Sequence, residues 1–260
     1  MPFINVNQFK IFYYDNKLEG TPLLFIHGWL GSSLEWSYQL FHFNFNHHII
    51  ILDLPGFGES DKSNINCSIE FYTKQVIDFL KLLGYHHVIL IGHSLGGLIA
   101  QNITIKTPKL VKKLILISST AAISPSTKDK FTIFWVNTLF KLFYKTFLKK
   151  IIKQIISPKK ASREFKKLYR NALNLPKKTV LSTFKNMTSK FFLKKELLKF
   201  PQRTLIIYGT EDKIISKPLV NELNDLIPNS ELLIIENGSH RVMFDNQVLV
   251  NKAIEEFIKK

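Results

Sequence analysis

A serine flanked by glycines, Gly92-His93-Ser94-Leu95-Gly96, stands where one kind of apolar pattern gives way to another. Val88-Ile89-Leu90-Ile91 precedes it, a short continuous apolar run that predicts a buried strand. Gly97-Leu98-Ile99-Ala100-Gln101-Asn102-Ile103 follows and predicts a helix. A strand that turns straight into a helix must bend sharply at one residue. Glycines two positions to either side let the backbone pass without Cβ clashes. The residue at the bend is lifted off the sheet with its side chain exposed. That is the strand–turn–helix setting in which G-x-S-x-G makes serine a nucleophile.

A serine hydroxyl attacks poorly until a base takes its proton. That base is commonly a histidine oriented by a carboxylate. The histidines are His27, His42, His47, His48, His86, His87, His93 and His240. His93 lies inside the bend and is expected to point away from the serine. His47-His48 and His86-His87 fall at strand starts, the wrong end of a parallel sheet for a site. His42 is expected in an aromatic loop with no polar company. His240 remains, in the loop after the strand-like run Leu232-Leu233-Ile234-Ile235. The carboxylate should also lie just past a strand. Thr204 to Tyr208 is such a run, and Gly209-Thr210-Glu211-Asp212 follows it. Asp212 is the expected acid, with Glu211 and Asp245 as rivals. The order Ser94, Asp212, His240 then places each residue at a strand end. The tetrahedral intermediate also needs two backbone donors. Leu95, after the nucleophile, supplies one. The loop His27-Gly28-Trp29, after the strand Leu23 to Ile26, supplies the other through Trp29.

These stretches, with Asp53-Leu54-Pro55-Gly56-Phe57-Gly58-Glu59-Ser60, together resemble the α/β-hydrolase superfamily from about Phe3 to the C-terminus. The resemblance implies a mostly parallel sheet of about eight strands with helices on both faces. It also implies a helical cap inserted over the site. Residues 1–120 and 200–260 would form the core and 121–199 the cap. Epoxide hydrolases and haloalkane dehalogenases of this superfamily carry aspartate at the bend. Ser94 points instead to a serine esterase. The stretch Leu114 to Thr120, where some members place the acid, holds no carboxylate, which also favours Asp212. The turn from Asp53 to Ser60 is expected to be structural.

The period of the apolar residues agrees. Strands are expected at Lys10–Tyr14, Leu23–His27, His48–Asp53, Val88–Gly92, Lys113–Ser118, Thr204–Tyr208 and Leu232–Glu236. Helices are expected near Ile69–Leu83, Leu95–Lys106, Pro218–Leu226 and Gln247–Ile258. Alternation of this kind predicts a sheet covered on both faces. Between 121 and 199 it stops, and the segment reads as helical. There Phe131, Phe134, Trp135, Leu139, Leu142, Phe143, Phe147, Ile151 and Ile155 recur among lysines at helical spacing. The spacing fits a helix packed on the core, and part of its apolar face could line an acyl pocket.

Charge is concentrated in the same segment. Residues 121–200 hold 20 Lys and Arg against 3 Asp and Glu, whereas the other 180 residues hold 16 against 17. The net +16 of the chain therefore belongs to the expected cap. A lysine-rich composition bias is one account, and a lid that meets anionic surfaces or substrates is another. Nucleic-acid binding is not expected, because no such motif accompanies the charge. The one cysteine, Cys67, rules out an internal disulfide. No cofactor or metal is expected, and no histidine–cysteine spacing fits a metal. The start of the chain lacks the pattern of a signal peptide, and no run of about 20 uncharged apolar residues predicts a membrane span. A cytoplasmic location is expected.

The chemistry expected is hydrolysis of a carboxylic ester or thioester with an apolar acyl part, through an acyl-enzyme on Ser94. One alternative is carbon–carbon bond hydrolysis, or a lyase reaction, on the same residues. Such sites often hold a substrate carboxylate with arginine, and the arginines are Arg163, Arg170, Arg203 and Arg241. The other alternative is a non-catalytic binding protein whose basic lid docks on an anionic membrane.

Overall fold

The computed structural model describes residues 2–62, 67–121, 138–156, 163–189 and 194–260. Eight strands form one sheet: β1 (Phe3–Val6), β2 (Phe9–Asp15), β3 (Leu23–Ile26), β4 (Ile49–Leu52), β5 (Val88–His93), β6 (Val111–Ile117), β7 (Arg203–Gly209) and β8 (Ser230–Ile235). Their order is β1-β2-β4-β3-β5-β6-β7-β8. The pairs β1–β2 and β2–β4 are antiparallel, and every other pair is parallel.

The central strands are apolar without interruption because both faces are covered. Alternate side chains serve different cores. Leu24, Ile26, Ile50, Leu52, Leu90, Leu114 and Ile206 face one. Leu23, Phe25, Ile49, Ile51, Ile91, Ile115 and Ile207 face the other. The first face is closed by α2 (Ile69–Leu82), α3 (Leu95–Lys106) and α8 (Lys217–Leu226). The second is closed by α1 (Ser37–Phe43), α9 (Val242–Asp245) and α10 (Gln247–Lys259). In α2 the Ser68 side chain accepts from the Phe71 amide at 3.1 Å, and Glu70 lies in the first turn. Both features favour a helix start there.

The chain leaves β3 for β4 on one side and returns to β5 on the other. The strand order therefore reverses at β3–β5, where ligands bind in open parallel sheets, outside the carboxyl ends. Ile26 at the end of β3 is in register with Gly92. Residues 27–29 and the bend at Ser94 consequently leave the sheet side by side.

Between β6 and β7 the described residues form helices: α4 (Tyr144–Ile156), α5 (Arg163–Leu173), α6 (Lys177–Ser189) and α7 (Lys194–Leu197). Residues 138–142 make a further helical turn that ends at Phe143. This break corrects the expectation of one uninterrupted helical face. Leu139, Leu142 and Phe143 are exposed, and the buried stripe runs instead through Phe140, Leu148 and Ile152. Phe147 and Ile151 pack against the core as expected. Phe131, Phe134 and Trp135 lie outside the described residues. His42 also departs from expectation. It sits in α1 rather than a loop, and its Nε2 meets Glu255 at 3.4 Å.

Candidate active site

The bend at Ser94 is tight. Ser94 has φ 50° and ψ −113°, a conformation that a residue with a side chain rarely adopts. Residues held there cluster at functional sites, where the surrounding structure enforces the strain. The enforcement is visible. The Ser94 amide donates to the Ile117 carbonyl at 3.0 Å. Its carbonyl accepts from the Gly97 and Leu98 amides at 2.9 and 3.2 Å, and from Ser119 Oγ at 3.1 Å. The flanking glycines are required by close approach. A Cβ on Gly92 would lie 2.4 Å from the Gly96 carbonyl oxygen, and one on Gly96 would lie 2.1 Å from that of Ile26. Ser94 is half-buried.

Asp212 and His240 meet from the ends of β7 and β8. The two loops lock together through the Glu211 amide, which donates to Gly238 at 2.8 Å. His240 Nδ1 donates to Asp212 Oδ2 at 2.8 Å. Asp212 Oδ1 accepts from the Ile214 and Ile215 amides at 2.8 and 3.0 Å. Burial works to raise the Asp212 pKa, but the hydrogen bonds from His240, Ile215 and Ile214 outweigh it, and the net shift is downward. An ionised carboxylate only accepts, so the imidazole proton sits on Nδ1. Burial lowers the His240 pKa, and the opposing Asp212 charge does not fully restore it. The ring is thus neutral at pH 7, with a lone pair on Nε2. The rivals are placed elsewhere. Glu211 is exposed, and Asp245 Oδ2 accepts from the Ser239 amide at 3.2 Å.

The amides of Trp29 and Leu95 flank the bend. Among the described residues neither donates to a protein acceptor. The Trp29 indole is buried. Its ring lies 5.1 Å from Phe184 and 6.3 Å from Phe140, centroid to centroid. The loop is therefore tied to the helices between β6 and β7.

His93 does point away from the serine, but it is not idle. Its Nε2 donates to the His240 carbonyl at 2.8 Å. Its Nδ1 meets the carboxylate of Glu35, which sequence reasoning missed. Glu35 is fully buried with Arg241, and it also accepts from the Gly28 amide at 3.0 Å. Burial works to raise the Glu35 pKa, yet Arg241 and His93 hold it well below the usual carboxylate range. His27 plays a structural part. Its Nδ1 donates to the Gly28 carbonyl at 2.8 Å, and its Nε2 accepts from the Leu54 amide at 3.0 Å. The turn after β4 is equally internal. Asp53 accepts from the Ser33 and Glu59 amides, and Ser60 Oγ donates to the Asp53 carbonyl at 2.6 Å. No group of three His, Cys, Asp or Glu among the described residues could hold a metal.

Residues 21–247 match the family model described as alpha/beta hydrolase fold. The pimeloyl-[acyl-carrier protein] methyl ester esterase of Wigglesworthia glossinidia brevipalpis is 32% identical over 92% of this chain and 93% of its own. Epoxide hydrolase 4 of Homo sapiens is 26% identical over 93% of this chain and 73% of its own. A bromoperoxidase from Bacillus anthracis superposes with a TM-score of 0.88 at 23% identity, over 100% of this chain and 99% of that one. With the eight-stranded sheet and the bend after β5, these matches make the chain a member of the α/β-hydrolase fold family, and a hydrolase.

Proposed function

We propose that the protein is a serine hydrolase of carboxylic esters or thioesters with an apolar acyl part. Ser94 Oγ attacks the carbonyl carbon as His240 Nε2 takes its proton. The oxyanion is bound by the Trp29 and Leu95 amides, which are not committed to other described residues. Collapse expels the alcohol or thiol, which takes the proton back from His240 and leaves an acyl-serine. Water then attacks through the same base, and the acid leaves. Asp212 keeps the proton on Nδ1 and stabilises the imidazolium that forms. No cofactor enters these steps.

One observation carries this reading. A neutral histidine, fixed by a buried carboxylate, hangs from the backbone whose carbonyl accepts from His93, the residue beside Ser94. The named activity of the Wigglesworthia relative supports ester chemistry and makes methyl esters a natural first substrate. The epoxide hydrolase relatives do not support epoxide opening here, because Ser94 stands where that chemistry uses aspartate. Carbon–carbon hydrolysis fits less well. Of the arginines, Arg241 is buried against Glu35, Arg203 pairs with Glu231, and the Arg170 side chain is exposed. The Arg163 side chain lies outside the described residues.

Residues 121–199 act as a cap over the core of 1–120 and 200–260, with Phe140 and Phe184 against Trp29. The single cysteine fits a reducing, cytoplasmic setting. A panel of alkyl esters of graded acyl length tests the reading. Neutral short-to-medium chains should be hydrolysed by wild type and not by Ser94→Ala. Activity only on charged acyl groups would contradict it.

A second proposal concerns the cap surface. Leu142 and Phe143 are 69% and 58% exposed, beside exposed Lys141, Lys145 and Lys149. Apolar tips among lysines suit an anionic lipid surface. No described helix is long and apolar enough to cross a membrane, so the contact would be peripheral.

A further inference from the structure

We propose that Glu35 is a positioning residue that holds the oxyanion loop, the serine bend and the histidine loop in one arrangement. The inference rests on the roles given to Ser94, His240 and Trp29.

Glu35 lies in a single turn of 3-10 helix, Ser33–Trp36, and is 0% exposed. Each of its contacts belongs to a different segment of the site. Oε2 accepts from the Gly28 amide at 3.0 Å, which fixes the His27–Gly28 peptide, one before the peptide that carries the Trp29 amide. Oε1 meets His93 Nδ1, on the residue just before Ser94. Oε1 also lies 3.8 Å from the Arg241 guanidinium, on the residue just after His240. His93 completes the circuit by donating to the His240 carbonyl at 2.8 Å. Both its ring nitrogens therefore face acceptors, and the ring spans Glu35 and the histidine loop.

The backbone is shaped around this cluster. A Cβ on Gly31 would lie 2.3 Å from Glu35 Oε2, and one on Gly28 would lie 2.6 Å from His93 Nδ1. His93, Glu35 and Arg241 are each no more than 2% exposed. Buried ion pairs are weak contributors to stability, and well-packed apolar groups of similar volume often serve as well. Stability alone does not call for this cluster. Its contacts instead reach the residues that set the donor, the nucleophile and the base.

The cluster also acts on His240 through charge. The groups facing the His240 ring are Asp212, His93 and Arg241. Asp245 lies close enough to act on Arg241, and Tyr208 lies near Asp212. The Glu35 carboxylate balances the positive side of this set. Without it, only Asp245 is left to offset the Arg241 charge that faces His240, and the imidazolium is disfavoured.

Three variants test the proposal: Glu35→Gln, Glu35→Asp and the double substitution Glu35→Leu with Arg241→Met. The readouts are kcat and KM on p-nitrophenyl butyrate, the pH profile, thermal melting, and the titration of His240 by NMR. In Glu35→Gln, kcat should fall about 10- to 100-fold with KM nearly unchanged, as when a transition-state contact is displaced. The His240 titration should move to lower pH, and Glu35→Asp should return it toward wild type. The double variant removes the Glu35–Arg241 pair together but leaves the Gly28 amide without its acceptor, so it should fold, melt below wild type and still lose kcat. Wild-type kcat in a folded double variant, with an unmoved His240 titration in Glu35→Gln, would overturn the proposal. An inactive wild type would instead count against the hydrolase reading, while the NMR titration would still decide whether Glu35 acts on His240.

Discussion

Replacing Asp212 by asparagine should nearly abolish turnover while leaving the fold intact, and the reason lies in where its two oxygens point. Oδ1 accepts from the Ile214 and Ile215 amides, and Oδ2 accepts from His240 Nδ1. Asparagine has only one acceptor oxygen. Turned toward His240, it would press its NH2 against two backbone donors. Leaving those amides unsatisfied costs roughly 1–3 kcal/mol each. The side chain will therefore give its oxygen to Ile214 and Ile215, with its NH2 facing His240. Nδ1 must then accept, which moves the ring proton to Nε2. A protonated Nε2 cannot take the Ser94 proton. Loss of the correct tautomer in a triad lowers kcat by about 10,000-fold. At 1.36 kcal/mol per tenfold, this is about 5 kcal/mol of transition-state stabilisation. Steady-state hydrolysis of a p-nitrophenyl ester, beside thermal melting, measures both halves of the claim. Glu211→Gln and Asp245→Asn serve as controls, because neither carboxylate is placed on His240, and both should stay within a few-fold of wild type. An Asp212→Asn protein that melts like wild type and keeps a tenth of its kcat would refute the reasoning.

The acid limb of the kcat/KM profile should fall below the ordinary imidazole value of 6.5, because burial lowers the His240 pKa. Activity is then full above that limb and is lost as pH falls through it; a limb above 6.5 would contradict the assignment. Phe140→Ala removes a ring that is 1% exposed and touches Trp29 and Phe184. It should cost about 3–5 kcal/mol, with KM rising more than kcat falls; an unchanged melting curve would show that the cap is not packed there. For the cap surface, cosedimentation with anionic vesicles at low salt should exceed that with neutral ones. Each lysine near the surface contributes about 1 kcal/mol, and salt screens this over ~10 Å. Equal binding to both vesicle types would leave composition bias as the account of the lysines.

The elements that pattern reading found are those whose burial is written into consecutive residues. The helix from Leu95 to Lys106 has the boundaries expected, because ten of its residues are buried and the bend marks its start. Strand β3 is a continuous apolar run bounded by a polar loop. The misses have a different character. Strand β1 pairs only at the sheet edge and exposes Phe3, so it shows no apolar run. Helix α1 buries only Gln39 and Phe43 and leaves Phe41 exposed, so its apolar residues do not trace one face. The break at Phe143 splits a helical period that the sequence displays as unbroken.

The site divides in the same way. Ser94, Asp212 and His240 each follow a strand, and strand ends are legible. Glu35 is not. Nothing near Ser33-Leu34-Glu35-Trp36 distinguishes a buried carboxylate from a solvated one. Its burial comes from Arg241, which is 206 positions away in the chain, and from His93 at the end of β5. Those partners converge only once the sheet has formed.

The central claim is that Ser94 becomes covalently acylated. A fluorophosphonate probe added to the folded protein, followed by peptide mass spectrometry, tests it most directly. The account predicts one adduct, on Ser94, formed in step with loss of esterase activity and absent from Ser94→Ala. A folded wild-type protein that hydrolyses esters yet carries no adduct at Ser94, or a Ser94→Ala protein that keeps its activity, would contradict it.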